Sequence, residues 1–403
     1  MTDVLDQAKQ HFLEGVRLFE TGQVESAELS FEAALALAPE RTSVLTNLGA
    51  ARVKLGKPAQ ALALLQKALV AEPGNLQAWS YLALAHAQQG EHSLAVPCYD
   101  QALAIDGTRA VLCLQRGQSL ARLSRHREAL EAFALSTRLE PTLAEAWSHQ
   151  GTLLREMGHL PEAAACFEKA LALGADAQVH QYFLASVRGT DAPGTPPAAY
   201  IEFFFNDYAA EFDKHLVTQL RYQGHRTLVE QLRALPGDVG QRRWQAVLDL
   251  GCGTGLCGPL IKPHAARLEG IDLSAAMLEQ ARRLAVYDHL THADLADYLP
   301  TLGRAYDLVL AADVFIYVGD LAPLFAQVSR CLHLGGVFCF TLELASGVQD
   351  FELLPSLRYA HSLPYIETLA QRCGFELLAA LRLPLREEQR QPVAGLYVYL
   401  RLQ

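Results

Sequence analysis

Val247-Leu248-Asp249-Leu250-Gly251-Cys252-Gly253-Thr254-Gly255 decides how the second half of the chain folds. An apolar run that encloses one acid feeds three glycines at alternate positions. The pattern predicts a buried parallel strand ending in a tight loop that opens a helix. Glycine tolerates positive φ and carries no Cβ, so a ligand can lie directly on such a backbone. The free N–H groups of the turn favour polar or anionic ligand ends.

The glycine spacing separates two ligand classes. A dinucleotide fingerprint requires Gly-x-Gly-x-x-Gly/Ala, and Leu256 stands at its third place. Asp249 lies two residues before Gly251, which that fingerprint does not ask for. The stretch resembles motif I of the class I S-adenosylmethionine-dependent methyltransferases, Asp-x-Gly-x-Gly-x-Gly. The resemblance extends over residues 200–403. It implies a Rossmann-like α/β domain of seven strands, mostly parallel with an antiparallel edge, and S-adenosyl-L-methionine as cofactor. Asp249, Gly251, Cys252, Gly253 and Gly255 then form the cofactor loop.

Three further acids follow at the expected intervals. Leu268-Glu269-Gly270-Ile271-Asp272-Leu273-Ser274 reads as a second strand ending in Asp272, 21 residues after Gly251. A carboxylate at that strand tip can accept both ribose hydroxyls, with Leu273 beside it. Ser274 caps a helix over 275–286, and Met277, one turn in, lies against the adenine or packs in the core. Asp294 is a helix cap or, by the resemblance, the acceptor of the adenine amino group, with Leu295 flanking the ring. Asp313 closes the buried run that starts at Tyr306 and matches motif IV, at the edge where open α/β sheets place ligands. Val314-Phe315-Ile316 follows it rather than Pro-Pro-Tyr, which argues against base or amide nitrogens as acceptors. Gly335-Gly336 opens a fifth strand, and the apolar runs at 375–383 and 396–400 predict the reversed final hairpin.

The first half is a repeat array. Gly15, Gly49, Ala83, Gly117 and Gly151 recur every 34 residues, as do Gly22, Gly56, Gly90, Ser124 and Gly158. Phe31, Leu65, Tyr99, Phe133 and Phe167 form a third series, and Pro39, Pro73, Gly107, Pro141 and Ala175 close the units. Small residues let two helices approach, and a large one fills the gap. The pattern resembles the tetratricopeptide repeat family: an all-α solenoid of five repeats plus a capping helix, over 1–188. Its inner face, including Lys9, Phe12, Thr46, Asn47, Ala50, Gln118 and Thr152, implies a protein or peptide partner. A linker at 189–199, rich in Pro and Gly, leads to the 200–403 domain. The aromatic segment 200–213 reads as a packed helix or as a lid over the cofactor, with Tyr208 touching the cofactor.

The 403 residues are 51% hydrophobic and 19% charged, with net charge -10 and both halves acidic. That balance predicts ordinary globular domains and offers no basic surface for nucleic acid. No uncharged apolar run approaches the ~20 residues of a membrane helix. Eight cysteines without a Cys-x-x-Cys pair predict buried thiols in a reducing cytoplasm, and no metal site.

Three functional classes follow. The first is an S-adenosylmethionine-dependent methyltransferase whose repeats recruit a protein, peptide or carrier-bound acceptor. For it, His361, Tyr359 and Asp313 are the candidate catalytic groups, and Arg358 a candidate for an acidic acceptor. The second is a repeat scaffold with a degenerate methyltransferase domain, opposed by the intact Asp249, Asp272, Asp294 and Asp313. The third is an NAD-dependent oxidoreductase, opposed by Leu256 and the position of Asp249.

Overall fold

The computed structural model describes residues 2–189, 192–197, 200–201, 221–345, 347, 349–388 and 391–403. Two compact units divide between Asp176 and Ala177.

The first unit is five antiparallel helix pairs, from Thr2–Glu20 with Val24–Leu37 to Ala144–Glu156 with Leu160–Ala172. The periodic residues explain themselves sterically. A Cβ built on Gly15, Gly49, Gly117 or Gly151 would stand 2.5–2.7 Å from Phe31, Leu65, Phe133 or Phe167 respectively. The first helix of each pair therefore touches the large residue of the second at its own backbone. The turn series lies at positive φ throughout, from +58° at Ser124 to +81° at Gly158. Trp79 and Trp147 each donate their indole N–H to the carbonyl of the proline that closes the preceding unit, Pro73 at 2.8 Å and Pro141 at 3.0 Å. Of the residues expected to line the inner face, Thr46 and Ala50 are instead buried.

The second unit is built on a sheet whose described strands are β1 (Trp244–Leu250), β2 (Ala265–Asp272), β3 (His289–His292), β4 (Tyr306–Ala311), β5 (Leu332–Leu344), β6 (Phe351–Leu353), β7 (Tyr359–His361), β8 (Phe375–Glu388) and β9 (Gln391–Leu402). β3, β2, β1, β4 and β5 lie in that order, all parallel. β9 adds antiparallel to β5, and β8 antiparallel to β9. The short β7 extends the far end of β5 in parallel, with Glu343 opposite Ala360. β1 and β4 are apolar on both faces because helices cover both sides of a parallel sheet. One face packs Leu248, Leu250, Phe315, Phe325 and Phe338. The other packs Trp244, Val247, Leu308 and Tyr399 against the helix Gly224–Ala234.

The expected capping helix, Ala177–Arg188, is present but belongs to this second unit. Its Tyr182 hydroxyl donates to the Leu357 carbonyl at 2.7 Å, and the Tyr182 ring lies 6.3 Å from that of Tyr359. Downstream, the Pro193 carbonyl accepts from Tyr359 at 2.6 Å, and the Gly194 carbonyl accepts the N–H groups of Gly319 and Asp320. Pro193 and Gly194, within the stretch expected to be a linker, are therefore tied to β7 and to the segment beyond β4. A fragment beginning at Ala177 is expected to fold with Tyr182 and Phe183 in place. One beginning at Tyr200 loses the buried Tyr182 and Phe183 side chains and is expected to be weaker by at least about 3 kcal/mol. Denaturant unfolding of the two fragments side by side checks this.

Candidate functional site

The glycine loop emerges from the carboxyl end of β1 in the left-handed conformation that its sequence anticipates. φ is +58° at Gly251, +55° at Gly253 and +90° at Gly255. The three differ in what surrounds them. A Cβ on Gly251 would lie 2.6 Å from Val314, so the loop touches the segment just beyond β4. A Cβ on Gly255 would meet Leu284 and Tyr287. Among the described residues, nothing lies within 4 Å of a Cβ placed on Gly253. No described residue thus fills the space beside the middle glycine, at the carboxyl edge of the parallel strands.

Two acids flank that opening. Asp272, at the end of β2, accepts the Gly253 N–H at 2.8 Å with one oxygen and the Ser274 N–H at 2.8 Å with the other. Its carboxyl is raised from its ordinary value by burial and lowered in part by these backbone N–H groups. Asp249 is 1% exposed, and burial pushes its carboxyl up to about 7, aided by the nearby Asp272 charge and opposed by the Tyr287 hydroxyl. That hydroxyl donates to Asp249 Oδ2 at 2.7 Å. Cys252 is buried behind the loop, its N–H donating to the Ile271 carbonyl.

The remaining expected cofactor residues distribute as follows. Ser274 caps the helix Ala275–Arg283 by accepting the Met277 N–H at 3.2 Å. That helix ends three residues before the expected 286. Met277 is buried in the core rather than presented to the opening. Leu273 is half-buried, and its carbonyl accepts from His292 Nε2 at 2.8 Å. Asp294 caps the turn Leu295–Tyr298 by accepting the Ala296 N–H, and Leu295 packs at the edge of the core. Tyr208 falls outside the described residues, as does the aromatic segment beyond Ile201.

The acceptor side corrects two expectations. His361 is 0% exposed: it is the last residue of β7, not a loop residue. Its Nε2 lies 2.9 Å from the Gly319 carbonyl and so carries the proton donated to it, and its ring stacks on Tyr365. Burial lowers it to about 4. Tyr359 is likewise buried, its hydroxyl committed to Pro193. An external acceptor reaches neither side chain, so neither is a general base in this structure.

What stands at the end of β4 instead is a buried ion network. Asp313 sits at φ +62° with its N–H held by Thr341 Oγ1 at 2.8 Å. Arg386, 2% exposed, reaches from β8 to Asp313 at 3.4 Å and pairs closely with the buried Glu343 of β5. Arg358 lies 4.0 Å from the same Glu343. Among the described residues the buried Tyr222 hydroxyl has no hydrogen-bond partner, and after burial the Asp313 charge is the main opponent of its ionisation. Sequence reasoning singled out Asp313 and Arg358 but not Glu343, Arg386, Tyr222 or Tyr287. A charged residue inside a strand is the signal that marks Arg386 in retrospect.

Comparison with known proteins defines the class. A methyltransferase-domain family matches residues 247–336, and tetratricopeptide-repeat families match 46–110 and 144–176. The chain therefore joins tetratricopeptide repeats to a methyltransferase domain. It is 33% identical over 140 residues to malonyl-(acyl-carrier protein) O-methyltransferase of Enterobacter lignolyticus, covering 34% of this chain and 53% of that protein. It is 40% identical over 93 residues to trans-aconitate 2-methyltransferase of Acidovorax sp. strain JS42, covering 23% and 35%. The chain thus spans about half the length, or less, of these relatives. A tetratricopeptide-repeat protein of Thermus thermophilus aligns at 26% identity and TM-score 0.37, over 45% of this chain and 98% of that one. No described helix is long and apolar enough to cross a membrane.

Proposed function

We propose that this chain is an S-adenosylmethionine-dependent methyltransferase that methylates a carboxylate on a carrier or protein recruited by the repeats. The observation that carries the cofactor reading is the space over Gly253, which no described residue fills: the glycine is left-handed, without a Cβ, and bordered by Asp272. A side chain on that glycine would occupy the place where a cofactor lies. Asp249, Gly251, Gly253, Asp272 and Leu273 would hold the nucleoside and its amino-acid end, while Met277 supports the helix behind them. Asp294 is assigned to the adenine edge in addition to its cap.

When bound, the cofactor supplies a methyl group already activated by its sulfonium. The protein's part is to hold the acceptor in line and keep water out, which can lower the barrier by several kcal/mol. A carboxylate is ionised at neutral pH and needs no base. That suits a site in which His361 and Tyr359 are sealed away. Arg386 and Arg358 supply positive charge beside Asp313, Glu343 and the Tyr222 hydroxyl. The two relatives above are both named for acids as acceptors, one of them carrier-borne, which supports the same reading. The buried free cysteines favour a reducing cytoplasm.

The test is transfer of labelled methyl from the cofactor into a cell lysate by the full chain. Products are resolved by size and then treated with alkali. The expected label is macromolecular and released as methanol by alkali, as a methyl ester requires. Alkali-stable label would contradict the carboxylate, and label confined to small molecules would contradict the role given to the repeats.

A further inference from the structure

Tyr287 lies in the short connection between the helix Ala275–Arg283 and β3, outside every motif in the sequence. Its surroundings are not those of a connecting residue. The ring occupies the space that three separate glycine side chains would need. A Cβ on Gly255 would stand 3.0 Å from it, one on Gly258 2.7 Å, and one on Gly270 3.0 Å. Those glycines belong to the cofactor loop, to the helix it opens, and to β2. The hydroxyl reaches beyond them to Asp249 Oδ2 at 2.7 Å. The segment that carries Tyr287 is itself anchored. The Asp288 N–H donates to the Leu268 carbonyl at 2.8 Å, and the Asp288 carboxylate accepts the Leu268 N–H at 2.7 Å and the Lys262 ammonium at 2.6 Å.

We infer that Tyr287 is a positioning residue of the cofactor site: its ring sets the spacing between the glycine loop and β2, and its hydroxyl orients and charges the Asp249 carboxylate. The inference rests on the cofactor reading above. Among the described residues, every other titratable group facing Asp249 is an acid or a thiol: Asp272 from β2, Cys252 and Cys257 from the loop, Cys339 from β5. Among the described residues, no cation offsets the cost of ionising it. Among the described residues, the Tyr287 hydroxyl is the one group that stabilises the charged form, and a hydrogen bond to a buried charge is worth more than one between neutral groups.

The sign of the pH effect follows. Asp249 holds its proton more tightly folded than unfolded, so stability declines as pH rises from the ordinary carboxyl value toward about 7 and is flat above. Tyr287→Phe keeps the ring and removes the donor. The folded carboxyl then moves further up, and the decline extends to higher pH.

Two measurements on the full chain test this. The first needs no cofactor: thermal midpoints from pH 4 to 9 for wild type, Tyr287→Phe and Asp249→Asn. Tyr287→Phe is expected to move the point at which the profile flattens to higher pH, and Asp249→Asn to remove this component of the profile. The second is titration calorimetry with S-adenosylmethionine. Tyr287→Phe is expected to weaken binding by about tenfold at pH 8, with less effect once Asp249 is already Asn. Wild-type midpoints and affinity at every pH in Tyr287→Phe would overturn the inference. A wild-type chain that binds no S-adenosylmethionine would sink the cofactor reading instead, and the thermal profile would still decide whether Tyr287 governs Asp249.

Discussion

Gly253→Val is expected to weaken S-adenosylmethionine binding by about 10- to 100-fold while leaving the protein folded. The two consequences have separate causes. In the fold, valine must adopt φ near +55°, which costs about 1–2 kcal/mol for a residue with a Cβ. It meets no described neighbour, because none lies within 4 Å of that Cβ. In the complex, the isopropyl group stands where the cofactor would rest, and forcing extra methyl groups into a filled site costs about 1–3 kcal/mol. Gly251→Ala offers the contrast. Its methyl would be driven into Val314 at 2.6 Å, so stability and binding fall together. Denaturant unfolding and calorimetry on both variants separate the two. Equal affinity in Gly253→Val and wild type would mean that the open space is not the cofactor's.

The largest effect on stability is expected at Arg386. Arg386→Met would leave Glu343 buried without its close partner, a change that costs about 3–5 kcal/mol when one member of a buried pair is removed. Burial already raises the Glu343 carboxyl, with Arg386 the leading opposition. Without the guanidinium it rises further. The destabilisation should therefore be greatest at high pH and shrink as pH falls and Glu343 takes up its proton. Adding Glu343→Gln should restore much of the loss, since the orphaned charge is gone. Thermal midpoints across pH 5–9 for both variants check the prediction. An Arg386→Met protein as stable as wild type throughout would mean that the pair does not govern this edge of the sheet.

The legible parts of the molecule were those in which a residue type has one reason to be where it is. The 34-residue series could be read because each glycine answers to one aromatic or leucine across the same helix pair. Gly15 against Phe31 and Gly151 against Phe167 are one contact made twice. The glycine loop was legible because left-handed backbone and close approach leave little choice of residue. The acceptor side was not. Arg358-Tyr359-Ala360-His361-Ser362 looks like a polar loop, yet β7 docks on the exposed end of β5 and buries its last residue. Nothing local in five mixed residues reveals a partner strand that far away. Arg386 was hidden for the opposite reason. The apolar run of β8 stops at Leu383, but the strand continues through an irregular register to Glu388, carrying a charged residue inward. Tyr287 sits in a connection, where a tyrosine reads as surface until the three glycines it braces are seen together. The boundary after residue 176 moved because Ala177–Arg188 keeps the repeat's frame in sequence while its Tyr182 packs on Tyr359.

Binding of S-adenosylmethionine by the loop around Gly253 is tested most directly by calorimetric titration of the full chain with that compound, with NAD as the control. The predicted result is saturable binding at one site per chain for S-adenosylmethionine, weakened about 10- to 100-fold in Gly253→Val, with none for NAD. Binding of NAD in its place, or no heat of binding from S-adenosylmethionine to a folded protein, would contradict it.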